Sequence, residues 1–158
     1  KKVNKMKARI MSEIEKEELF KYLEERFGIE RSVFSNYEFF RTTKKIWIAS
    51  KSLANLDLRG ITIEGIGMHF ATFDKKRKRF KITTNAAQLF GIFARKNVVE
   101  ISENKLLDVL RGFDLINYES DAENGYILFK YNSHILGVGL KTGNYIKNMI
   151  PKERRLKI

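Results

Sequence analysis

The fold is decided by the stretch Gly125-Tyr-Ile-Leu-Phe-Lys-Tyr-Asn-Ser-His-Ile-Leu-Gly-Val-Gly-Leu140, which runs on to Ile150-Pro-Lys-Glu-Arg-Arg155. Its β-branched and aromatic residues predict two short strands joined by a turn, with His134 in that turn. A glycine-marked third segment and a basic tail follow, and the only proline sets the tail apart. None of these residues is typical of a catalytic motif, so we interpret the stretch as a rigid β surface that carries cationic side chains.

Length and composition limit the possible classes. The 158 residues suit one domain or two small ones, and 43% hydrophobic residues are enough for a real core. The absence of cysteine excludes disulfides and thiolate zinc sites and fits a reducing compartment, so we expect a cytoplasmic protein. The two histidines, far apart in sequence, suggest no metal site, and we expect no cofactor. The longest uncharged run, Ile82–Ala94, is too short to cross a bilayer.

Charge is segregated along the chain, whose net charge is +12. Residues 61–96 hold 8 basic and 2 acidic residues, and residues 127–158 hold 7 and 1. Between them, residues 97–126 hold 2 basic and 7 acidic residues. If the two basic segments fold side by side, they form one positive face that favours a polyanion such as nucleic acid. A lysine-rich protein from a hot or AT-rich source would also carry many solvated charges, but that explains the total better than the segregation.

The first 59 residues predict a helix and two strands. Ser12-Glu-Ile-Glu15 is a capping box that starts the helix, and Gly28 ends it. Phe34–Phe40 and Ile46–Ala49 follow as strands with a hairpin turn between them. Trp47 is interpreted as a core residue or interdomain wedge, and stacking on a nucleic-acid base is the alternative. Leu53–Arg59 is interpreted as a linker or a short helical turn that ends at Gly60, and it predicts two domains, 1–59 and 60–158.

The segment from Ile61 to Phe73 predicts a further strand, bent at Gly65 and Gly67, in which His69 is an ordinary side chain. Six of the seven residues from Lys75 to Lys81 are basic, and we place them at a hairpin tip. Such a cluster suits contact with phosphates, whereas a mobile solvated loop is the alternative. Downstream, we expect helices after Thr83 and Ser102, with strands over Val98–Ile101 and Phe113–Ile116.

Several segments, taken together and in order, resemble a PUA-like RNA-binding domain of the kind that follows the catalytic domain in NOL/NOP/Sun-class ribosomal-RNA cytosine-C5 methyltransferases. The resemblance covers about residues 61–158. It is carried by the segments Asn85–Gly91, Val98–Ser102, Gly125–Tyr131, Leu136–Gly139 (read as a Leu-Gly-x-Gly turn) and Ile146–Arg155. More loosely, the N-terminal part is similar to the pre-PUA domain of ribosome-biogenesis factors. The resemblance implies an α+β fold, in which a small helix-plus-strands domain precedes a PUA-like mixed β pseudo-barrel with short helices.

The same resemblance implies a non-catalytic protein that binds structured rRNA or tRNA and assists RNA modification or ribosome assembly. The catalytic cysteines and the glycine-rich S-adenosylmethionine loop of the parent enzymes are absent from this sequence. A protein-interaction scaffold that docks an RNA methyltransferase or a ribosome-assembly factor is the alternative. The residues expected to contact RNA lie in the hairpin tip and the C-terminal part; they are Lys75, Lys76, Arg77, Lys78, Arg79, Lys81, Lys141, Lys147, Lys152, Arg154 and Arg155.

Overall fold

A computed structural model describes residues 8–55 and 67–157, and within these ranges the chain forms two β-sheets with short helices packed against them. The helices are α1 (Glu13–Phe27), α2 (Lys51–Ala54), α3 (Thr84–Phe90) and α4 (Glu103–Leu110). The strands are β1 (Arg9–Ile10), β2 (Tyr37–Arg41), β3 (Lys45–Ser50), β4 (Met68–Asp74), β5 (Arg79–Ile82), β6 (Val98–Glu100), β7 (Gly125–Tyr131), β8 (His134–Thr142) and β9 (Tyr145–Asn148). The predicted α+β class is confirmed. None of the helices in the described ranges is long and apolar enough to cross a membrane.

Helix α1 begins and ends where the sequence predicts. The Ser12 hydroxyl accepts a hydrogen bond from the Glu15 amide, and the Glu15 carboxylate accepts one from the Ser12 amide. At the other end Gly28 adopts the left-handed conformation with φ of 64°, which favours glycine because it has no Cβ. The buried side of the helix carries Leu19 and Leu23 into the core. The first sheet, in the order β1-β2-β3-β4-β5, is antiparallel throughout.

The second sheet is mixed, as the sequence resemblance implied. Its order is β6-β7-β8-β9, in which β6 and β7 are parallel and the other pairs are antiparallel. Strand β7 is buried along five consecutive residues from Gly125 to Phe129. Its side chains alternate between two hydrophobic clusters: Tyr126 and Leu128 join the one under α1, whereas Ile127 and Phe129 join the one under α4. Strand β7 therefore lies between the two hydrophobic cores.

Some predicted elements are wrong in detail. Arg31–Phe34 is a 3₁₀ helix that buries the Phe34 ring against Phe39 and Phe70, so the strand predicted from Phe34 begins only at Tyr37. In place of the predicted strand Phe113–Ile116 there is an isolated bridge between Leu115 and Ile146.

The segment Leu136–Gly139 lies inside β8 and is not a turn. Its glycines are needed because neighbouring side chains leave no room for a Cβ atom: on Gly139 a Cβ atom would lie 2.6 Å from Phe129 Cζ. Likewise, His134 is the first residue of β8, and the turn before it contains Asn132 with φ of 53°.

The N-terminal helix is tied directly to the second sheet. The guanidinium of Arg26 donates hydrogen bonds to three carbonyl oxygens, those of Glu123 at 2.7 Å, Asn124 at 2.9 Å and Tyr126 at 2.7 Å. The predicted division at 59/60 stays a prediction, and the linker over 56–60 and the strand start over 61–66 lie outside the described residues. Strands β4 and β5 follow that division, and β4 pairs with β3 from before it.

Candidate nucleic-acid interface

One side of the first sheet turns away from α1 and combines aromatic and basic side chains. Lys45 of β3 lies opposite Thr72 of β4, and Thr72 lies opposite Lys81 of β5, so these three side chains share one face. Trp47 and His69 are also paired across the strands. We call the set Lys45, Trp47, His69, Thr72 and Lys81, together with Lys147 described below, the basic-aromatic face. The opposite side of β3 carries Ile46 and Ile48 into the core.

Trp47 and His69 form the aromatic part of this face. Their ring centroids lie 5.2 Å apart with an interplanar angle of 38°, and Lys45 Nζ lies 6.0 Å from the centroid of the Trp47 ring. Both rings are partly exposed, so the interpretation of Trp47 as a core residue is wrong. The reason is strand alternation, which directs Ile46 and Ile48 inward and the ring between them outward.

The imidazole of His69 is held by its own strand. Its Nε2 atom lies 3.0 Å from the Ala71 carbonyl oxygen and 3.2 Å from the Thr72 hydroxyl oxygen. Burial lowers the pKa of His69 below its ordinary value, and the charges of Lys45 and Lys81 lower it further. His69 is therefore a neutral ring at physiological pH, fixed in orientation and flanked by two cations.

Lys81 and Lys147 bring positive charge from the two sheets to one place. Lys81 belongs to β5 and Lys147 to β9, and each raises the electrostatic potential at the other. The pKa of Lys81 is lowered, first by burial and then by Lys147. Neither lysine forms an ion pair with a carboxylate in the described part of the chain. Two like charges without a counter-ion, one of them half-buried, form a site for an anion.

The hairpin tip carries Lys75, Lys76, Arg77 and Lys78, all of them exposed. Arg77 pairs with Asp74 at 3.4 Å. Lys75 and Lys78 line a cleft of about 490 Å³ together with residues of α1, namely Glu18, Lys21, Tyr22 and Glu25. The tip is thus basic, but acidic side chains of α1 border it. At the base of the hairpin, the Arg79 guanidinium carbon lies 4.6 Å from the centroid of the Tyr126 ring and fastens β5 to β7.

The predicted residues of the C-terminal part are placed unequally. Lys147 and Lys152 are exposed, whereas Lys141 is buried in β8 with 8% exposure. The Arg154 guanidinium donates hydrogen bonds to the side-chain oxygens of Asn85 (2.5 Å) and Gln88 (2.7 Å) of α3.

Arg155 has a structural contact of its own. It packs over Gly112 and donates a hydrogen bond to the Ile150 carbonyl oxygen. The eleven predicted residues therefore do not form one continuous cluster. Lys81 and Lys147 lie near each other. Three of the predicted residues, Arg79, Arg154 and Arg155, instead contact other groups of the protein.

Sequence reasoning missed Lys45, His69 and Thr72 as parts of the site. The available signal was the period of two in a strand, which places Lys45 and Trp47 on one face of β3. The cross-strand partners Thr72 and Lys81 then follow from a hairpin around the basic tip. Among residues 8–55 and 67–157, no group of three His, Asp or Glu side chains is positioned to hold a metal ion.

The family comparisons find a match for the segment that contains the second sheet. Residues 96–156 match the family model described as the methyltransferase RsmF PUA domain. This segment is a PUA-like domain of the kind found in Sun-class methyltransferases. Residues 4–67 match a family of unknown function (DUF7122). The segment between the two matches contains β4, β5 and α3, and it therefore carries His69, Thr72 and Lys81 of the basic-aromatic face.

Curated relatives extend the similarity over most of the chain. Proteins named ribosomal RNA small subunit methyltransferase F are 26% identical over 88% of this chain in Aeromonas salmonicida (strain A449), 25% over 87% in Shewanella woodyi and 24% over 85% in Psychromonas ingrahamii. The chain spans about 28% of the length of the Aeromonas relative.

Proposed function

We propose that this chain is an RNA-binding module that recognises structured rRNA or tRNA through the basic-aromatic face and assists RNA modification or ribosome assembly. The observation that carries the proposal is the row of Lys45, Thr72 and Lys81 across three strands, to which Lys147 adds a second-sheet charge near Lys81. Holding a half-buried ammonium beside a second one costs folding free energy, which a bound polyanion offsets. The names of the curated relatives, which are ribosomal RNA methyltransferases, support rRNA as the first class to test.

RNA phosphates are the groups that these lysines would contact. Lys45 and Lys147 are exposed, and Lys81 lies between them on the same face. Lys152 and the hairpin-tip lysines extend the positive surface beyond it. Binding by phosphate contact and by shape suits structured RNA, whose paired bases are not accessible in the deep, narrow major groove of A-form helices.

We further propose that a separate catalytic unit performs the RNA-modifying chemistry and that this chain, in the cytoplasm, supplies binding. His69 is engaged by the carbonyl oxygen of Ala71, and His134 is exposed at the start of β8. Neither imidazole has a carboxylate hydrogen-bond partner in the described part of the chain, as general acid–base catalysis would favour. The partner would be an RNA methyltransferase or a ribosome-assembly factor, and no cofactor is assigned to this chain.

The test is binding to rRNA fragments and tRNA across a range of salt concentrations. If about six phosphates are neutralised, a plot of log affinity against log salt falls with a slope of roughly −4 to −5, taking about −0.7 per phosphate of a single strand and about −0.9 per phosphate of a duplex. Charge reversal by Lys147→Glu should lower the affinity. The same change at Lys105, a partly exposed residue of α4 next to Asp108, is the matched control and should have a much smaller effect. A slope near zero, or equal effects of both variants, would contradict the proposal.

The scaffold alternative rests on a different surface. Leu89 and Ile92 are 60% and 68% exposed, and they line a cleft of about 530 Å³ with residues 133–136 at the start of β8. Exposed apolar side chains that border a cleft are typical of protein docking sites. If the scaffold function is correct, a methyltransferase or assembly factor will co-purify in high salt and after ribonuclease treatment, and Leu89→Glu will abolish its capture. RNA binding as described above should be unaffected by that change.

A further inference from the structure

The two sheets leave a narrow cleft beside the imidazole of His69. Its volume is about 210 Å³, which is below the range of about 300–1,000 Å³ for pockets that take drug-sized ligands. One small planar group fits it better than a whole dinucleotide or cofactor. The first sheet and α3 contribute His69, Thr72, Lys81, Ile82, Thr83 and Thr84, and the second sheet and the tail contribute Val138, Met149 and Pro151.

The chemistry of the cleft suits a nucleobase. The walls provide an imidazole ring and the side chains of Pro151 and Met149, which are surfaces for the flat face of a base. Thr84 is only 7% exposed and lines the cleft, where its hydroxyl offers both a donor and an acceptor to the polar edge of a ligand. Behind His69, on the side of the face away from this cleft, the Trp47 ring supports the imidazole at 5.2 Å.

The charge at the cleft suits the phosphate of the same nucleotide. Lys81 lines the cleft, and Lys147 lies close enough to lower its pKa. The carboxylates of Asp74 and Asp114 are occupied elsewhere, by Arg77 and Arg79 in the first case and by Tyr145 and the Asn148 amide in the second. These two carboxylates are therefore not paired with Lys81 or Lys147, which favours an anionic ligand at the two lysines.

We propose that this cleft binds one unpaired nucleotide of an RNA, with its base against His69 and its phosphate at Lys81 and Lys147. The inference rests on the RNA-binding function proposed above and adds that the module selects an unpaired position within a structured RNA. In a duplex both faces of a base are already stacked, so only a bulged or looped nucleotide can enter. Neither family match includes all the residues of this site. The RsmF PUA domain match begins at residue 96 and the other match ends at residue 67, so the part of the site on β4, β5 and α3 lies between them.

The experiment compares two RNA hairpins of equal length, one fully paired and one with a single bulged nucleotide, tested with each of the four bases. Stacking of one base on an aromatic side chain contributes about 1–3 kcal/mol, so the bulged hairpin should bind roughly 5- to 150-fold more tightly. Trp47 is the single tryptophan of the chain, and its emission should change more with the bulged hairpin than with the paired one. His69→Ala should lower the affinity for the bulged hairpin much more than the affinity for the paired hairpin, and so remove the preference. His69→Phe, which keeps a ring, should restore most of the preference.

The outcomes separate this inference from the function on which it rests. Equal binding of both hairpins, with a normal salt slope and equal changes in Trp47 emission, overturns the nucleotide site and leaves RNA binding intact. Failure of both hairpins and of the rRNA and tRNA fragments to bind overturns both. If circular dichroism shows that His69→Ala does not fold, Thr84→Val serves instead, since it keeps the shape of the side chain and removes the hydroxyl. It should then change the ranking of the four bulged bases, and the same ranking as in the wild type would count against the site.

Discussion

Replacing Lys81 by methionine should strengthen the fold and weaken RNA binding at the same time. Methionine keeps an unbranched side chain for the half-buried position on β5 and removes the ammonium. In the free protein this charge is opposed by burial and by Lys147, as the lowered pKa of Lys81 indicates. With RNA bound, the same charge is neutralised by phosphate. The two effects of one substitution therefore have opposite signs.

The magnitudes follow from the exposure of the site. Because Lys81 is only half-buried, solvent screens much of its repulsion with Lys147, and the gain in the free energy of unfolding is about 0.5 kcal/mol. For a chain of this length that raises the melting temperature by about 1–2 °C. Loss of one phosphate contact should reduce RNA affinity by about 1 kcal/mol, or roughly fivefold, and make the salt slope shallower by about 0.7.

Two assays on one protein preparation test both effects. Thermal unfolding is monitored by circular dichroism, and RNA affinity is measured by filter binding at several salt concentrations. Lys105→Met on α4 is the control, with the same change in net charge at a site next to Asp108. It should change neither quantity appreciably. A melting temperature several degrees lower for Lys81→Met, with unchanged RNA affinity, would refute the reasoning, because Lys81 would then be a structural residue.

Three further predictions concern the fold and its pH dependence. Gly139→Ala should lower the free energy of unfolding by about 1–3 kcal/mol in urea denaturation, since the new Cβ would lie 2.6 Å from Phe129 Cζ. Gly143 has φ of +61°, but a Cβ atom there would have no other atom within 4 Å, so Gly143→Ala should cost only about 1 kcal/mol. Equal losses of unfolding free energy at the two glycines would contradict the packing argument. Arg26→Met should cost about 2–3 kcal/mol, because three carbonyl oxygens lose a charged donor; a loss below about 0.5 kcal/mol would show that water replaces it fully. The pKa of His69 is lower in the folded protein than in the unfolded chain, so below about pH 6.5 the unfolded chain binds a proton that the folded protein does not. The free energy of unfolding should therefore decrease as the pH falls from about 6.5 towards the folded pKa of His69. In His69→Phe the urea midpoint should fall less between about pH 7.5 and about pH 5.5 than in the wild type, and an identical fall would contradict it.

Local signals predicted the elements whose ends are set by short-range chemistry. The capping box at Ser12 and the left-handed Gly28 define α1 within a few residues of sequence, and both are present. Runs of β-branched and aromatic residues predicted β3 and β7 for the same reason. The strand expected from Phe34 failed because distant rings draw Phe34 into the core, an effect that no local pattern contains.

The site was less predictable because it depends on which strands become neighbours. The basic run at 75–81 is conspicuous in the sequence, yet the elements that pack beside its members differ along the hairpin. Arg79 lies on the Tyr126 ring, whereas Lys81 lies beside Lys147. Similarly, Arg155 is basic by composition but packs over Gly112. Charge counts predict how much positive surface exists, and only the topology determines which charges remain free for a ligand.

The two-sided burial of β7 has a consequence for how the chain acquires its structure. The core under α1 is incomplete without Tyr126 and Leu128, and Arg26 reaches hydrogen-bond partners 97–100 positions further along the chain. During synthesis, α1 can pack against the first sheet, but its core and the Arg26 contacts are completed only after Tyr126 and Leu128 have left the ribosome. Once assembled, the backbone amides of β7 open only when both cores separate. They should be the slowest in the molecule to exchange with deuterium, at a rate that reports global unfolding.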